Sequence, residues 1–268
     1  MPIFPKHWIL LVLLAAVLNG CASSPEKDKS VKIDGINISE SKADSAAGIY
    51  AELGLRYMQK GKYKLSVQKL RKALELDPEL PSAYLYLAEL YYQLEELEDA
   101  ETNFRKAIEM DPDYSRAHNN FGAFLCGQGR YDESETQFLA AIDNPLYENK
   151  AATLENMGLC MYADGQYAKA EDYFNQALAE VPYMARSLYA LAKINFDRGD
   201  IPAAKLNLER YRKVASQTPE TLWLGIQVAR KLGEKDNEAS LALLLRSQYP
   251  KSAEAKLLES SGSKAKKS

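Results

Sequence analysis

Histidine is nearly absent, with His7 and His118 the only two in the chain. His7 lies in a segment that reads as a cleaved export signal, so His118 alone remains. That excludes zinc sites of the usual His-rich kinds and leaves one candidate for any Ser-His or Cys-His arrangement. Glycines stand singly, which removes a phosphate-cradling loop. No basic block occurs except the tail Lys264-Ala265-Lys266-Lys267, and the formal net charge is -3. Phosphate binding needs a clustered basic face, so nucleic acid is excluded as a partner. A carboxylate pair could still sit among the acidic residues, but no spacing singles one out. The expectation is a protein without catalytic residues, metal, cofactor or small-molecule substrate.

Long apolar runs are missing too, except at the start. Lys6 and His7 precede an apolar stretch from Trp8 to Leu18, shorter than the roughly 20 residues that span a bilayer. It ends in Leu18-Asn19-Gly20-Cys21, which resembles the lipobox of lipoprotein signal peptidase. On that reading residues 1–20 are a signal peptide and Cys21 is the lipidated first residue of the mature chain. The other reading is a plain secretory signal with an incidental Cys21. Acyl chains contribute about 0.8 kcal/mol per buried methylene, so a multiply acylated cysteine anchors durably. Ala22 stands where lipoproteins retained in the inner membrane typically carry Asp. This favours the inner leaflet of the outer membrane, facing the periplasm. Residues 21–46 then form a lipidated, flexible tether, polar from Ser24 to Ser45.

From Ala47 a 34-residue period takes over. Tyr50, Leu53, Gly54, Tyr57, Ser66, Leu70, Ala73 and Pro78 return as Tyr84, Leu87, Ala88, Tyr91, Ala100, Phe104, Ala107 and Pro112. The third unit continues with His118, Phe121, Gly122, Leu125, Ser134, Phe138 and Ala141, then departs through Pro145 and an insertion from Leu146 to Lys150. The fourth resumes with Leu154, Met157, Gly158, Met161, Ala170, Phe174, Ala177 and Pro182. A looser fifth carries Leu188, Leu191, Ala192, Asn195, Ala204, Leu208 and Tyr211. A sixth keeps the phase with Leu222, Gly225, Ile226, Ala229 and Pro250. Small residues at fixed offsets let two helices cross closely, large apolar residues fill the space beside them, and a glycine ends the first helix. Proline stops the second helix. The predicted fold is all-α: a right-handed superhelix of about six tetratricopeptide helix-turn-helix units, at 47–80, 81–114, 115–150, 151–184, 185–218 and 219–252. Residues 253–268 read as a disordered basic tail.

The strings HNNFGAFLCGQGRYDES (118–134), NPLYENKAATLENMGLC (144–160) and LWLGIQVARKLGEKDNEAS (222–240) resemble the type IV pilus biogenesis and stability lipoproteins of the PilF/PilW family. The resemblance runs over essentially the whole mature chain. It implies a pilotin, a lipoprotein that brings the outer-membrane secretin of the pilus machine to its membrane and helps it multimerise. Periodicity alone supports only a scaffold. The competing reading is a tetratricopeptide lipoprotein adaptor for outer-membrane protein insertion or peptidoglycan remodelling.

In tetratricopeptide geometry the second, fifth, ninth, twelfth and thirteenth residues of each first helix face the concave side. Leu55 and Met58, then Leu85, Glu89, Tyr92 and Gln93, fall there, with Leu55, Met58, Leu85 and Tyr92 expected to form an exposed apolar patch for a partner. The alternative is that Leu55 and Met58 pack on a neighbouring helix. Arg116 and Asn119 suit polar contacts with a bound main chain, and Tyr189, Phe196 and Trp223 follow, with Trp223 the expected hot spot. Cys126 and Cys160 lie on adjacent first helices in an oxidising compartment, and both fall inside the family-like strings. A disulfide is expected, against the alternative of two buried thiols.

Overall fold

The computed structural model describes residues 30–33, 36–39 and 45–265. The signal segment, Cys21 and Lys266-Lys267 lie outside these residues. The described chain forms two short strands, β1 (Ser30–Ile33) and β2 (Ile36–Ser39), and thirteen helices. Twelve helices make six hairpins: α1 (Ala46–Gln59) with α2 (Tyr63–Leu76), α3 (Pro81–Gln93) with α4 (Leu97–Met110), α5 (Ser115–Gly127) with α6 (Tyr131–Asp143), α7 (Lys150–Ala163) with α8 (Tyr167–Glu180), α9 (Ala185–Arg198) with α10 (Ile201–Val214), and α11 (Pro219–Leu232) with α12 (Lys235–Gln248). The thirteenth, α13 (Ala253–Ala265), follows alone. First helices contact first helices of the next hairpin, and each second helix contacts the following first helix. This neighbour-only stacking makes the right-handed superhelix.

Each hairpin closes on a small residue facing a large one. A Cβ added to Gly54 would come within 2.5 Å of Leu70 Cγ, one on Gly122 within 2.8 Å of Phe138 Cδ1, and one on Gly158 within 2.6 Å of Phe174. Phe104, Phe138 and Phe174 are fully buried by this arrangement, each contributing about 1.5–3 kcal/mol of burial. In the sixth hairpin the pair is inverted. Ile226 occupies the small-residue row and Ala242 stands opposite, both buried, so the crossing keeps its total volume. Serine at the close approach adds a bond, since Ser66 Oγ donates to the Gly54 carbonyl at 2.8 Å and Ser134 Oγ to that of Gly122 at 2.7 Å.

One expectation fails, and another gains a structured element. Residues 253–265 are not a disordered tail: α13 packs against α11 and α12, with Ala255 and Leu258 buried in the last cluster. Spaced three apart on a helix, these two residues cover the apolar end that unit six would otherwise expose. The segment read as a flexible tether contains the β1–β2 antiparallel hairpin, with Val31 opposite Ile38 and Ile33 opposite Ile36. Alternating β-branched residues around Asp34-Gly35 are a hairpin signal that the polar composition of the segment concealed.

Candidate functional site

The first helices of successive hairpins lie side by side, and their facing residues build a polar strip across the middle of the solenoid. Glu89 Oε1 on α3 accepts from Asn120 Nδ2 at 2.6 Å and Arg116 Nη2 at 3.2 Å, both on α5. The Arg116 guanidinium lies over the Tyr86 ring, 5.1 Å from its centre. Asn119 Nδ2 donates to Asn120 Oδ1 at 2.9 Å. Asn119 Oδ1 accepts from Thr153 Oγ1 at 3.0 Å and Asn156 Nδ2 at 3.3 Å, both on α7. Thr153 Oγ1 also lies 3.3 Å from the Tyr147 hydroxyl, which ties the insertion loop to the strip. One step further, the buried Glu155 carboxylate accepts from the Ser187 backbone N–H at 3.0 Å and its hydroxyl at 2.8 Å. Met184, the N-cap of α9, makes no side-chain cap, so the preceding unit supplies one.

Burial shapes the electrostatics. It pushes the Glu89 carboxyl above its ordinary value against the opposing pull of Arg116 and Asn120, and it pushes the Tyr114 hydroxyl well above the usual phenol range. Amides, a guanidinium and a carboxylate in one row offer donors and acceptors to a bound main chain. His118 is occupied structurally: Nδ1 meets Gln137 Oε1 at 2.8 Å and Nε2 the Pro112 carbonyl at 2.9 Å. Among the described residues no group of three or more His, Cys, Asp or Glu is placed to hold a metal ion.

Of the residues expected on the concave face, Glu89, Arg116 and Asn119 meet in this strip. The apolar patch does not exist as such. Leu55, Met58 and Leu85 are 8, 4 and 0% exposed, because α1 and α3 approach closely enough to consume all three in a common core cluster. Tyr92 remains 42% exposed, its ring edge against Phe124 at 5.4 Å, and Gln93 is exposed beside it. Tyr189 sits edge-on to Tyr211, 6.4 Å between centres, and Phe196 packs beside Ala192 and Leu208. Trp223 is partly covered by the cluster that holds Ala255 and Leu258, and Arg230 lies over its ring at 5.6 Å. The sequence reading missed Tyr86, Asn120, Asn156 and Glu155. Tyr86, Asn120 and Asn156 share one repeat phase, next to the row containing Leu85 and Asn119, and that phase was the signal available.

Cys126 on α5 and Cys160 on α7 are joined by a disulfide, with Cα atoms 5.8 Å apart. It links the first helices of units three and four across the insertion, with Ser134 Oγ 3.3 Å from Cys160 Sγ.

Six stacked hairpins with a polar concave strip define a tetratricopeptide-repeat scaffold, and tetratricopeptide family models match residues 54–95, 81–114, 113–179 and 161–221. The type IV pilus assembly protein PilF of Pseudomonas aeruginosa is 31% identical over 245 residues, covering 91% of this chain and 94% of that one. The chain therefore belongs to the PilF family. The solved structure of Pseudomonas aeruginosa PilF superposes with a TM-score of 0.75 at 30% identity, over 81% of this chain and 98% of that one. The crystal structure of PilW, a widely conserved type IV pilus biogenesis factor, gives 0.72 at 29% identity, over 81% and 99%.

Proposed function

We propose that this protein is a non-enzymatic scaffold of type IV pilus biogenesis. It binds the secretin subunit of the pilus machine, brings it to the outer membrane and promotes its multimerisation. The observation that carries this reading is the relationship to PilF, which extends over 91% of this chain and 94% of that one. The concave strip supports it physically. Asn119, Asn120, Asn156 and Arg116 present side-chain amides and a guanidinium at a spacing set by rigid helices, which suits a bound main chain better than an apolar helix. The proposal places the anchor at Cys21, lipidated and held in the inner leaflet of the outer membrane, with the solenoid in the periplasm.

Recovery of secretin with the lipidated protein from detergent extracts, together with secretin multimers in the outer-membrane fraction of a strain carrying Cys21→Ser, tests it. The proposal expects secretin in the first experiment and a loss of outer-membrane multimers in the second. Normal multimers in the Cys21→Ser strain contradict the delivery role.

A further inference from the structure

The turn between α1 and α2, together with α2 itself, spans residues 60–76 and holds six cations, Lys60, Lys62, Lys64, Lys69, Arg71 and Lys72, against one carboxylate, Glu75. Glu75 is paired with Lys72 at 2.9 Å, and Lys69 lies over the Tyr50 ring at 5.7 Å. Lys60, Lys62, Lys64 and Arg71 are exposed and have no carboxylate partner among the described residues. Helix stability does not account for them. The N-terminus is the positive end of a helix macrodipole and disfavours cations, yet Lys62 is the N-cap of α2 and Lys64 stands in its first turn, which holds no acidic residue. At the same place α4 carries Glu98 and Asp99, and α6 carries Asp132 and Glu133.

Helical rotation sets apolar surface among these cations. Val67 and Leu74 pack into the cluster shared with α3. Leu65, Lys72 and Leu76 each stand two positions from one of them, which on a helix is the opposite side. That side faces away from unit two, at the end of the solenoid. Leu65 and Leu76 are 38 and 48% exposed there. Exposed leucines beside unpaired cations are the pattern of a helix lying in a lipid headgroup layer. The next unit reverses the sign: residues 81–114 carry nine carboxylates and two cations, against four and seven in residues 47–80. An anionic plane therefore attracts the first hairpin and repels the second.

We propose that α2 is a docking surface for a membrane of anionic phospholipid. The helix lies along the surface, with Leu65 and Leu76 reaching past the headgroups and Lys62, Lys64 and Arg71 against the phosphates. This deepens the membrane placement proposed for Cys21 without needing the acyl chains, so either can fail alone. α1 and α2 form a hairpin, so the chain enters the solenoid at Ser45 beside the Leu76 end of α2, on the unit that meets the lipid. The surface then sets the orientation of the scaffold. Unit one stands on the membrane, and the polar strip of α3, α5, α7 and α9 is held clear of it.

The test is co-sedimentation of the mature chain carrying Cys21→Ser with vesicles of phosphatidylcholine containing about 30% phosphatidylglycerol, and with vesicles of phosphatidylcholine alone. Binding to the anionic vesicles is expected, about tenfold or more weaker with the neutral ones, and falling as salt rises from about 0.05 to 0.5 M. Lys64→Glu with Arg71→Glu weakens it about tenfold or more. Both side chains are exposed, so this variant stays decisive if Leu65→Ser with Leu76→Ser, expected to weaken binding as well, disturbs the fold. Arg212→Glu with Lys213→Glu reverses two exposed cations of α10, towards the other end of the solenoid, and leaves binding unchanged. Equal binding to both kinds of vesicle, binding to neither, undiminished binding of the Lys64→Glu, Arg71→Glu variant, or loss of binding in the α10 variant overturns the proposal, whatever the outcome with secretin.

Discussion

Glu95 is the one non-glycine with positive φ among the described residues, at 61°, in the turn of the second hairpin. The equivalent turns carry Gly61, Gly129, Gly165, Gly199 and Gly233, with φ from 68° to 89°. A side chain in this left-handed conformation is strained, so Glu95→Gly is expected to raise stability by about 1 kcal/mol in urea denaturation. A lower midpoint would mean that the turn is not strained. Glu89 gives a residue-scale prediction in pH. Burial holds its folded-state carboxyl above the ordinary value of 4.5. As pH rises from that value through the folded-state value, the unfolded chain ionises first and the group takes stability away. The stability difference between Glu89→Gln and wild type should therefore shift in favour of the variant as pH rises above 4.5. A shift the other way would show that Arg116 outweighs burial. At this scale the sequence was partly legible: repeat phase brought Glu89, Arg116 and Asn119 to one face. It did not reveal that Glu155 reaches across units to cap α9, because a cap supplied by a different hairpin leaves no local signature.

At the scale of the hairpin, the inverted pair in unit six is a natural experiment on the crossing rule. Gly158→Ile forces a branched side chain into the Phe174 ring and should cost about 1–3 kcal/mol. Phe174→Ala alone leaves a cavity and should cost about 3–5 kcal/mol. The double variant copies Ile226 and Ala242 and should recover most of the summed loss. If the losses simply add, hairpin packing is not governed by this pair. The disulfide acts between elements. In the chain-entropy model, closing a loop with a sequence separation of 34 contributes about 3–4 kcal/mol. Cys160→Ala should lower stability by that order, and alkylation of the denatured Cys21→Ser protein before reduction should find no free thiol. Two alkylatable thiols would mean that helix packing alone holds units three and four in register. The repeating fold was readable because a 34-residue phase recurs. The burial of Leu55, Met58 and Leu85 was not, since helical position fixes direction but not how near the next first helix comes. Nor was α13, whose two buried residues, Ala255 and Leu258, are too few to raise a periodic signal in a small, polar segment.

The described hairpins form a superhelix of neighbour contacts, so its concave strip is a shape that needs every unit in register but no moving part. Inter-unit ion pairs such as Arg130 with Glu101 and Lys169 with Glu135 are surface pairs worth about 0–1 kcal/mol each. Apolar stacking and the disulfide carry the register. The family relationship gives the assembly in which such a scaffold works, while the choice of the concave strip rests on its physical chemistry. Asn156 touches only Asn119 among the bonds of the strip, so Asn156→Arg blocks the groove with little damage to the fold. The direct measurement is co-purification of secretin, from mild detergent, with the lipidated wild type and with Asn156→Arg at matched expression and unfolding midpoint. The account predicts secretin recovered with the wild type and strongly depleted with the variant. Equal recovery with both would contradict the concave strip as the secretin-binding surface.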